Sequence, residues 1–334
     1  MKIVIDDRIP YIRETISKIT NSAVYIKGTE IAAEDVKDAD AMIVRTRTRC
    51  NERLLSGSSV KFIATATIGY DHLDTGYLAK AGIKWTNCPG CNAGSVAQYL
   101  RSTLVLLSRE QGLDLSKSTI GIVGCGHVGS MVKVVAEQLG MRVLVNDPLV
   151  GAADYVSLGD IERKADVITF HVPMTTYGPY ATYHLADSGF FDRVCRRPFI
   201  INTSRGGVVD NNALKDALKD GKIRQAAIDT WENEPNIDLE LLNNVYIGTP
   251  HVAGYSADGK VNADNMAVAA LCNFFGIENP GRIVPPALPS DFIYTGDCLQ
   301  LYNPLNDSDK LKSEPDKFEE LRGNYPLRRE TYKK

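Results

Sequence analysis

A glycine turn between an apolar run and a helical segment constrains the fold of this chain more than any other feature. The run TIGIV at residues 119–123 leads into Gly124-Cys-Gly126-His-Val-Gly129, and a helical segment follows. This spacing lets the backbone approach a pyrophosphate, whose negative charge the start of the helix stabilises. The next apolar run, MRVLVN, ends in Asp147, a carboxylate suited to the ribose hydroxyls of a dinucleotide. The sequence therefore predicts a dinucleotide-binding domain.

The acid at position 147 also indicates which dinucleotide binds. A carboxylate there repels the extra 2′-phosphate of NADP, and the neighbours Asn146 and Pro148 supply no arginine to bind that phosphate. NAD is therefore the predicted cofactor. A G-x-G-x-x-G pattern alone also occurs in ordinary glycine-rich turns, so the prediction depends on the order of strand, turn, helix, strand and acid.

Short β-type runs alternate with helical segments in two series. The first fills the first ninety residues, from KIVID to IKWTN; the second begins at TIGIV and continues through MRVLVND, DVITFHVP, PFIINTS, IRQAAIDTW and VYIGTPH. Such alternation is typical of parallel sheets flanked by helices. Because 334 residues exceed the usual size of one hydrophobic core, we expect an α/β protein with two doubly wound parallel-sheet domains.

Three segments lie outside these series. Residues 92–110 have apolar side chains at helical spacing and no glycine or proline after Gly94, so they are predicted to form a long helix. Residues 256–275 are also predicted to be helical. The polar, charged tail after residue 307 offers few apolar anchors and is predicted to be a loosely held arm or a partner-binding element.

Charge and cysteine usage exclude several classes of protein. A formal net charge of −3 gives no attraction to nucleic acid, and no apolar stretch is long enough to span a bilayer. The N-terminal run MKIVIDDRIP is too short for a signal peptide, and seven scattered cysteines indicate reduced thiols, so we expect a cytoplasmic protein. Cys88 and Cys91 have the spacing of a redox dithiol or of half a zinc site, but without a second such pair we expect a structural turn and no metal site.

Three polar residues follow successive strands of the second series. Arg205 comes after FIINTS, Glu234 shortly after IRQAAIDTW, and His251 after VYIGTP. Ligands of open α/β sheets bind beyond the carboxyl ends of the strands, so these side chains are expected to meet there. A guanidinium fork matches a carboxylate, a histidine can take the hydroxyl proton of a hydroxy acid, and a carboxylate can orient that histidine. Singly, each residue could equally be an ordinary loop or surface residue.

The segments SRGGVVD at 204–210, AAIDTWENEP at 226–235 and TPHVAGYS at 249–256 resemble signature segments of the D-isomer-specific 2-hydroxyacid dehydrogenases. The resemblance implies a Rossmann NAD-binding domain at 96–280 and a flavodoxin-like substrate-binding lid at 1–95, completed by residues after about 281. It further implies that residues 281–334 form a return segment and a C-terminal dimerisation arm, and that the protein is a homodimer.

The resemblance also implies roles for individual residues. Arg205 would anchor the substrate carboxylate and carbonyl, Glu234 would orient His251, and His251 would act as acid and base. The implied cofactor-binding residues are Gly124, Gly126, His127, Val128, Gly129, Asp147, Val172, Thr203, Ser204, Asp229 and Gly254. The implied substrate-binding residues are Thr46, Thr67 and Tyr255. Val172 stands where some members of the family have a threonine, which leaves only backbone contacts to the cofactor there.

Within the family, the chain most resembles members that act on a phosphorylated 2-hydroxy acid. The residues that carry this closer resemblance are 44–51, 64–74 and 178–187, with Gly254-Tyr255. On charge grounds alone, Arg45 and Arg47 are our hypothesis for the residues that bind its phosphate. Two alternatives stay open. One is another dehydrogenase of the family, such as a 3-phosphoglycerate dehydrogenase, and the other is a non-enzymatic binding protein that senses NAD.

Overall fold

The structure of the protein is a computed structural model that describes residues 1–331. The chain divides into two compact units. Unit 1 consists of Met1–Asn92 and Ser256–Asp291, and unit 2 consists of Ala93–Tyr255 together with residues 292–331. Each unit is built around its own parallel sheet.

Strands and helices alternate along most of the chain. The strands are β1 (Lys2–Asp6), β2 (Ser22–Ile26), β3 (Ala41–Val44), β4 (Phe62–Thr65), β5 (Lys84–Thr86), β6 (Thr119–Val123), β7 (Arg142–Asn146), β8 (Val167–Phe170), β9 (Phe199–Asn202), β10 (Gln225–Ile228) and β11 (Ile247–Gly248). The helices are α1 (Arg13–Ser17), α2 (Ala33–Val36), α3 (Glu52–Leu55), α4 (Thr75–Lys80), α5 (Ala93–Gln111), α6 (His127–Gln138), α7 (Leu158–Lys164), α8 (Ser188–Arg193), α9 (Asn211–Lys219), α10 (Leu239–Asn244), α11 (Ala257–Phe275), α12 (Cys298–Leu301), α13 (Pro304–Ser313) and α14 (Phe318–Gly323).

The sheet of unit 1 has the order β2-β1-β3-β4-β5, and all its strand pairs are parallel. This is the flavodoxin-like order. Successive side chains of a strand point to opposite faces, so Ile3 and Ile5 enter one hydrophobic core whereas Val4 enters another. Strands buried on both faces explain why the β-type runs of this unit are almost continuously apolar.

The sheet of unit 2 has the order β11-β10-β9-β8-β6-β7, again with parallel pairs throughout. The chain moves from β6 to β7 on one side and then returns to β8 on the other side of β6. The order therefore reverses at β6, the strand that precedes the glycine turn, and ligands of doubly wound sheets bind at such a switch point. The predicted fold class, two doubly wound parallel-sheet domains, is confirmed.

Both predicted long helices are present as α5 and α11. Helix α11 begins after Ser256, whose Oγ accepts a hydrogen bond of 2.8 Å from the backbone N–H of Gly259. It ends at Gly276, where φ is 65° and the left-handed backbone favours glycine.

The observed units differ from the expected domain boundaries in two places. The NAD-binding domain was expected to extend to residue 280, but α11 belongs to unit 1, where Val261, Val268 and Leu271 share a hydrophobic core with Ile3. Residues 292–331 were expected to complete the lid and to form an arm, but they belong to unit 2. Residues 332–334 of the expected arm lie outside the described residues. In both cases the apolar residues of the segment decide which sheet it covers.

The prediction that the polar tail is loosely held is wrong. Leu311 and Phe318 are 0% and 1% exposed and lie in the same core as Ile200 of β9. Helix α13 lies beside β11, where the Ser308 hydroxyl oxygen accepts a hydrogen bond of 3.0 Å from the backbone N–H of Gly248. Two apolar side chains, Leu311 and Phe318, are enough to hold the tail because both are buried in this core.

Arg328 also fastens this tail to unit 2. Its guanidinium is buried and donates to the side-chain oxygen of Gln98 at 2.8 Å, to the carbonyl of Val252 at 3.1 Å and to the carbonyl of Ser95 at 2.6 Å. The same group stacks on the ring of Tyr302, 3.6 Å from its centroid. The charge is therefore buried with its donors satisfied, as buried charges must be.

The turn formed by Cys88 and Cys91 is buried, which agrees with a structural role. The Cys88 thiol lies 3.3 Å from the carbonyl oxygens of Thr65 and Ala263. Burial raises the pKa of Cys88 to about 12, so the thiolate that redox chemistry and metal binding need is disfavoured. Across residues 1–331, no helix combines the length and the apolar character needed to cross a membrane.

We predict that Arg328→Met lowers the free energy of unfolding by about 3 kcal/mol, because it leaves three buried acceptors without their donor. Thermal or urea denaturation measures the change. Arg196→Met is the matched control: Arg196 is 52% exposed and paired with Asp166 on the surface, so its loss should cost less than about 1 kcal/mol. Equal losses in the two variants would contradict the structural role of Arg328.

Candidate active site

The glycine turn after β6 has no room for side chains on the side that faces the protein. A Cβ atom at Gly129 would lie 2.0 Å from the carbonyl oxygen of Gly124, and one at Gly124 would lie 2.8 Å from the carbonyl oxygen of His171. Gly124 also has a φ of 90°, which favours glycine. These two glycines are therefore required by the turn itself.

Gly126, the middle glycine, is required for a different reason. It is the N-cap of α6, and among the described residues nothing lies within 4 Å of the position its Cβ would take. Backbone N–H groups at the start of the 12-residue helix, where His127 and Val128 lie, are available to an anion. The turn thus fits the pyrophosphate of a dinucleotide, which can approach the backbone at Gly126 without meeting a side chain.

Asp147 lies at the end of β7, where the sequence placed it. One carboxylate oxygen accepts a hydrogen bond of 2.8 Å from the backbone N–H of Cys125, inside the glycine turn, and the other accepts from the N–H groups of Leu149 and Val150 at 3.1 and 3.2 Å. The acid is thereby fixed next to the turn. A carboxylate held there is suited to bind ribose hydroxyls.

Strand β8, which pairs with β6, and the following strand β9 bring further predicted cofactor residues to the same edge. Val172 follows β8, and its side chain lies against Gly124. Thr203 and Ser204 follow β9, and the Ser204 hydroxyl donates to the side-chain oxygen of Asn202 at 2.8 Å. The Oγ1 of Thr203 is buried and has no hydrogen-bond partner within residues 1–331.

Asp229, at the end of β10, is buried and 1% exposed. Its carboxylate accepts hydrogen bonds from the Thr249 hydroxyl at 2.6 Å, the Val252 N–H at 2.7 Å and the Ala253 N–H at 3.0 Å. Burial raises the pKa of Asp229, and the nearby His251 together with these hydrogen bonds opposes the rise. In the structure this residue therefore holds the loop that carries His251, a contact that the sequence did not reveal.

His251 and Glu234 form the pair that the sequence predicted. The two oxygens of Glu234 lie 3.1 and 2.8 Å from Nδ1 of His251, and one of them also accepts from the Trp231 N–H at 2.9 Å. Burial alone would raise the pKa of Glu234, but the hydrogen bond and charge of His251 lower it overall. Because an ionised Glu234 can only accept, Nδ1 of His251 carries a proton, and in the neutral form of the ring Nε2 is the acceptor.

The loop that carries Arg205 is fixed by close packing. A Cβ atom at Gly206 would lie 1.9 Å from the carbonyl oxygen of Trp231, so only glycine fits there. The side-chain amide of Asn202 donates to the carbonyl of Arg205 at 3.0 Å, and the Arg205 guanidinium donates to the carbonyl of Ser204 at 2.8 Å. The loop after β9 is therefore packed directly on the segment that leads to Glu234.

A charged network that the sequence analysis missed ties the same two segments together. Nε2 of His184 lies 2.7 Å from Glu232 and its Nδ1 lies 3.4 Å from Asp210. Glu232 precedes Glu234 by two residues and also accepts a hydrogen bond of 3.0 Å from the Asn211 N–H. His184, Asp210 and Glu232 are also the described residues that could offer three clustered metal-ligand atoms, all within 4.8 Å of one another. In the structure they make these hydrogen bonds and the contact of His184 with Asp210.

The predicted substrate residues of unit 1 lie at the carboxyl edge of its own sheet. Arg45, Thr46 and Arg47 follow β3, and Thr67 follows the neighbouring strand β4. The guanidinium of Arg45 donates to the carbonyl of Arg8 at 3.1 Å, and the Thr67 hydroxyl donates to the carbonyl of Gly69 at 2.9 Å. Topology therefore brings these residues to one edge, as the rule for parallel sheets requires.

Gly254 and Tyr255 lie in the loop between β11 and α11. The ring of Tyr255 packs edge-on against Tyr325, with centroids 5.9 Å apart, and the Arg322 guanidinium lies 5.8 Å from its centroid. Arg322 and Tyr325 come from the C-terminal tail. Nothing in the sequence FEELRGNYPLRRE distinguishes Arg322 from Arg328 or Arg329, so only the structure brings it to this site.

Comparison with known proteins agrees with this geometry. A family model described as the NAD binding domain of D-isomer specific 2-hydroxyacid dehydrogenases matches residues 94–253. The chain is 54% identical to the erythronate-4-phosphate dehydrogenase of Bacteroides fragilis, over 99% of this chain and 97% of that protein.

Two solved structures are also similar. One is the D-lactate dehydrogenase of Aquifex aeolicus complexed with NAD and lactic acid, with a TM-score of 0.68 and 26% identity over 82% of this chain and 96% of that chain. The other is the NAD⁺-bound 3-phosphoglycerate dehydrogenase of Entamoeba histolytica, with a TM-score of 0.70 and 26% identity over 86% and 99% of the two chains. The prediction of NAD as the cofactor is confirmed.

The two kinds of glycine in the turn predict different results on substitution. Gly126→Ala should keep the melting temperature but weaken NAD binding at least tenfold, about 1.4 kcal/mol, because its Cβ points to the ligand side. Gly129→Ala should lower both the melting temperature and the affinity for NAD, because its Cβ would collide with the Gly124 carbonyl. Calorimetric titration with NAD and thermal melts measure both quantities. Wild-type NAD affinity in Gly126→Ala would contradict the assignment of the pyrophosphate site.

Proposed function

Because this chain belongs to the D-isomer specific 2-hydroxyacid dehydrogenases, we propose that it oxidises 4-phospho-D-erythronate to (R)-3-hydroxy-2-oxo-4-phosphooxybutanoate with NAD as the acceptor. The observation that carries the proposal is the 54% identity, over 99% of the chain, to an erythronate-4-phosphate dehydrogenase. The Glu234–His251 pair supports it. The reaction would serve the biosynthesis of pyridoxal 5′-phosphate.

His251 is the acid and base of the proposed reaction. Its Nε2 accepts the proton of the C2 hydroxyl while Nδ1 stays hydrogen-bonded to Glu234. The negative charge of Glu234 stabilises the imidazolium that forms, so proton removal becomes easier as the C2–H bond breaks. NAD, when bound, accepts the hydride from C2. In the reverse direction the same imidazolium returns the proton to the oxygen.

Arg205 binds the carboxylate next to the reacting carbon. Its guanidinium fork matches the C1 carboxylate and fixes C2 relative to His251. The tight packing of Gly206 on Trp231 and the hydrogen bond from Asn202 hold the backbone of Arg205 in place. Because Arg205 and Glu234 lie on packed neighbouring segments, the carboxylate and the hydroxyl of the substrate are oriented together.

The cofactor and substrate assignments extend over both units. Unit 2 would hold NAD through the glycine turn and the neighbouring strand ends: Gly124, Gly126, His127, Val128, Gly129, Asp147, Val172, Thr203, Ser204, Asp229 and Gly254. Unit 1 would act as the substrate-binding domain through Thr46 and Thr67, and Arg45 and Arg47 are its charge-based candidates for the phosphate. Tyr255, the third proposed substrate-binding residue, belongs to unit 2. Asp229 would act through the loop that it holds, since its oxygens already accept three hydrogen bonds.

We also propose that the protein is a cytoplasmic homodimer. Free thiols at all seven cysteines, which lie within residues 1–331, suit a reducing compartment. Light scattering coupled to gel filtration measures the oligomeric state, and a mass equal to one chain across a range of concentrations would contradict the dimer.

Turnover of defined substrates tests the proposed function. The protein is incubated with NAD and a 2-oxo-acid acceptor, and with either 4-phospho-D-erythronate or 3-phosphoglycerate. We expect the 2-oxo product from the first substrate at a kcat/KM at least tenfold above that for the second. A preference for 3-phosphoglycerate would favour another dehydrogenase of the family, and NAD binding without turnover of either would favour a binding protein.

His251→Ala should lower kcat by about 10²- to 10⁴-fold, the usual contribution of a positioned acid-base group. The Kd for NAD should stay within about twofold, because the proposed cofactor contacts are made elsewhere. Steady-state kinetics and calorimetric titration measure the two quantities. A parallel loss of NAD binding would contradict a purely acid-base role.

Arg205→Lys should lower kcat/KM for the hydroxy acid by about 10- to 100-fold, because an ammonium group cannot form the paired hydrogen bonds of a guanidinium. Arg193→Lys is a matched control, since Arg193 forms the same kind of paired bonds with Glu162, at 2.9 and 2.8 Å, and has no place in the site. Wild-type kinetics in Arg205→Lys would refute the carboxylate assignment.

A further inference from the structure

Arg322 is a mostly buried arginine whose Nε donor is not used by any of residues 1–331. Its side chain is 21% exposed, and its Nε is buried without a hydrogen-bond partner among residues 1–331. The nearest carboxylate oxygen, of Glu319, lies 3.7 Å from one terminal nitrogen, which is too long for a hydrogen bond. A guanidinium desolvated in this way is costly unless an anion satisfies it.

The contrast with Arg328, six positions along the same tail, indicates that Arg322 is not simply a structural arginine. Arg328 makes hydrogen bonds to three acceptors and stacks on Tyr302 at 3.6 Å. Arg322 lies 5.8 Å from the ring centroid of Tyr255. Of these two arginines, Arg328 is buried with hydrogen bonds to protein acceptors, whereas Arg322 is mostly buried and its Nε has no partner among residues 1–331.

Arg322 also lies close to the catalytic pair. The charges of Tyr255, Glu234, Glu319 and Asp229 raise its pKa against the effect of burial, and in turn its charge contributes to lowering the pKa of Glu234. None of these four groups gives it a short ion pair. An oxyanion can bind side-on to the edge of a guanidinium formed by Nε and one terminal nitrogen, and this is the edge of Arg322 that contains the unused donor.

We propose that Arg322 is a substrate-binding residue that binds the phosphate monoester of the substrate. The inference rests on the proposed function, because a 4-phosphorylated 2-hydroxy acid has two anionic groups. The carboxylate is next to the reacting carbon and is bound by Arg205, whereas the phosphate is at the far end of the carbon chain. On this proposal Arg322, rather than the charge-based candidates Arg45 and Arg47, sets the preference for phosphorylated substrates, and it binds that end together with Tyr255.

The test compares substrates with and without the phosphate. We expect Arg322→Gln to lower kcat/KM for 4-phospho-D-erythronate at least 30-fold, mostly through KM, and to change kcat/KM for D-erythronate less than threefold. Arg322→Lys should lower kcat/KM for the phosphorylated substrate less than Arg322→Gln does, because lysine keeps the charge but not the paired donors of the guanidinium. Glu319→Gln, which removes the nearest acid of the tail, should leave both values close to wild type.

The proposal would be overturned if Arg322→Gln lowered kcat/KM equally for both substrates, or for neither. If Arg322 had only a structural role, Arg322→Gln would lower kcat/KM for both substrates together. Glu319→Gln would then reproduce the defect. If the wild-type protein oxidised 3-phosphoglycerate and not 4-phospho-D-erythronate, the proposed function would fail. The role of Arg322 would then be tested with 3-phosphoglycerate against D-glycerate, so the two failures are distinguishable.

A measurement on the wild-type protein covers the case in which the variants do not fold. Phenylglyoxal modifies accessible guanidinium groups, and mass spectrometry of peptides locates the modified arginines. We expect inorganic phosphate to slow the modification of Arg322 at least fivefold and to leave Arg196, an exposed arginine on the surface of unit 2, unaffected. An unchanged rate at Arg322 in saturating phosphate would overturn the proposal.

Discussion

The geometry of the Glu234–His251 pair depends on the buried carboxylate of Asp229. It accepts hydrogen bonds from Thr249, Val252 and Ala253, and these three contacts enclose His251 on both sides. The loop is so tightly held that His251 adopts a φ of 57°, in the left-handed region that side chains rarely occupy. Because an ionised Asp229 can only accept, the Thr249 hydroxyl donates to it and therefore accepts from Tyr99 of α5, 3.0 Å away. A chain of directed hydrogen bonds thus fixes the strained conformation that points His251 towards Glu234.

The parts of the molecule that the sequence predicted are those governed by local patterns and by one rule of topology. Strands of a parallel sheet that are buried on both faces must be apolar along their length, so their positions and ends are visible in the sequence. The carboxyl ends of such strands share one edge, and this alone brings Arg205, Glu234 and His251 to the same side of the sheet. The glycine turn and Asp147 were equally predictable, because their spacing is set by the geometry of a strand, a turn and a helix.

The parts that the sequence could not predict depend on contacts between distant residues. His184 meets Glu232 and Asp210 across separations that no periodicity encodes. Asp229 was expected to contact the cofactor, and its three bonds to the His251 loop emerge only when β10 and β11 are paired. The tail was misjudged because its composition is polar on average, whereas its fold is decided by a few side chains such as Leu311 and Phe318. Mean composition does not show which residues of a helix face a core.

The position of α13 beside β11 has a consequence for how the protein is made. Strand β11 is the outermost strand of its sheet and is complete at Gly248, but the helix that lies beside it begins only at Pro304. During translation, this edge stays uncovered while the intervening residues leave the ribosome, and an uncovered edge strand is a template for pairing with another nascent chain. The C-terminal segment can therefore cover this edge only after most of the chain has been synthesised.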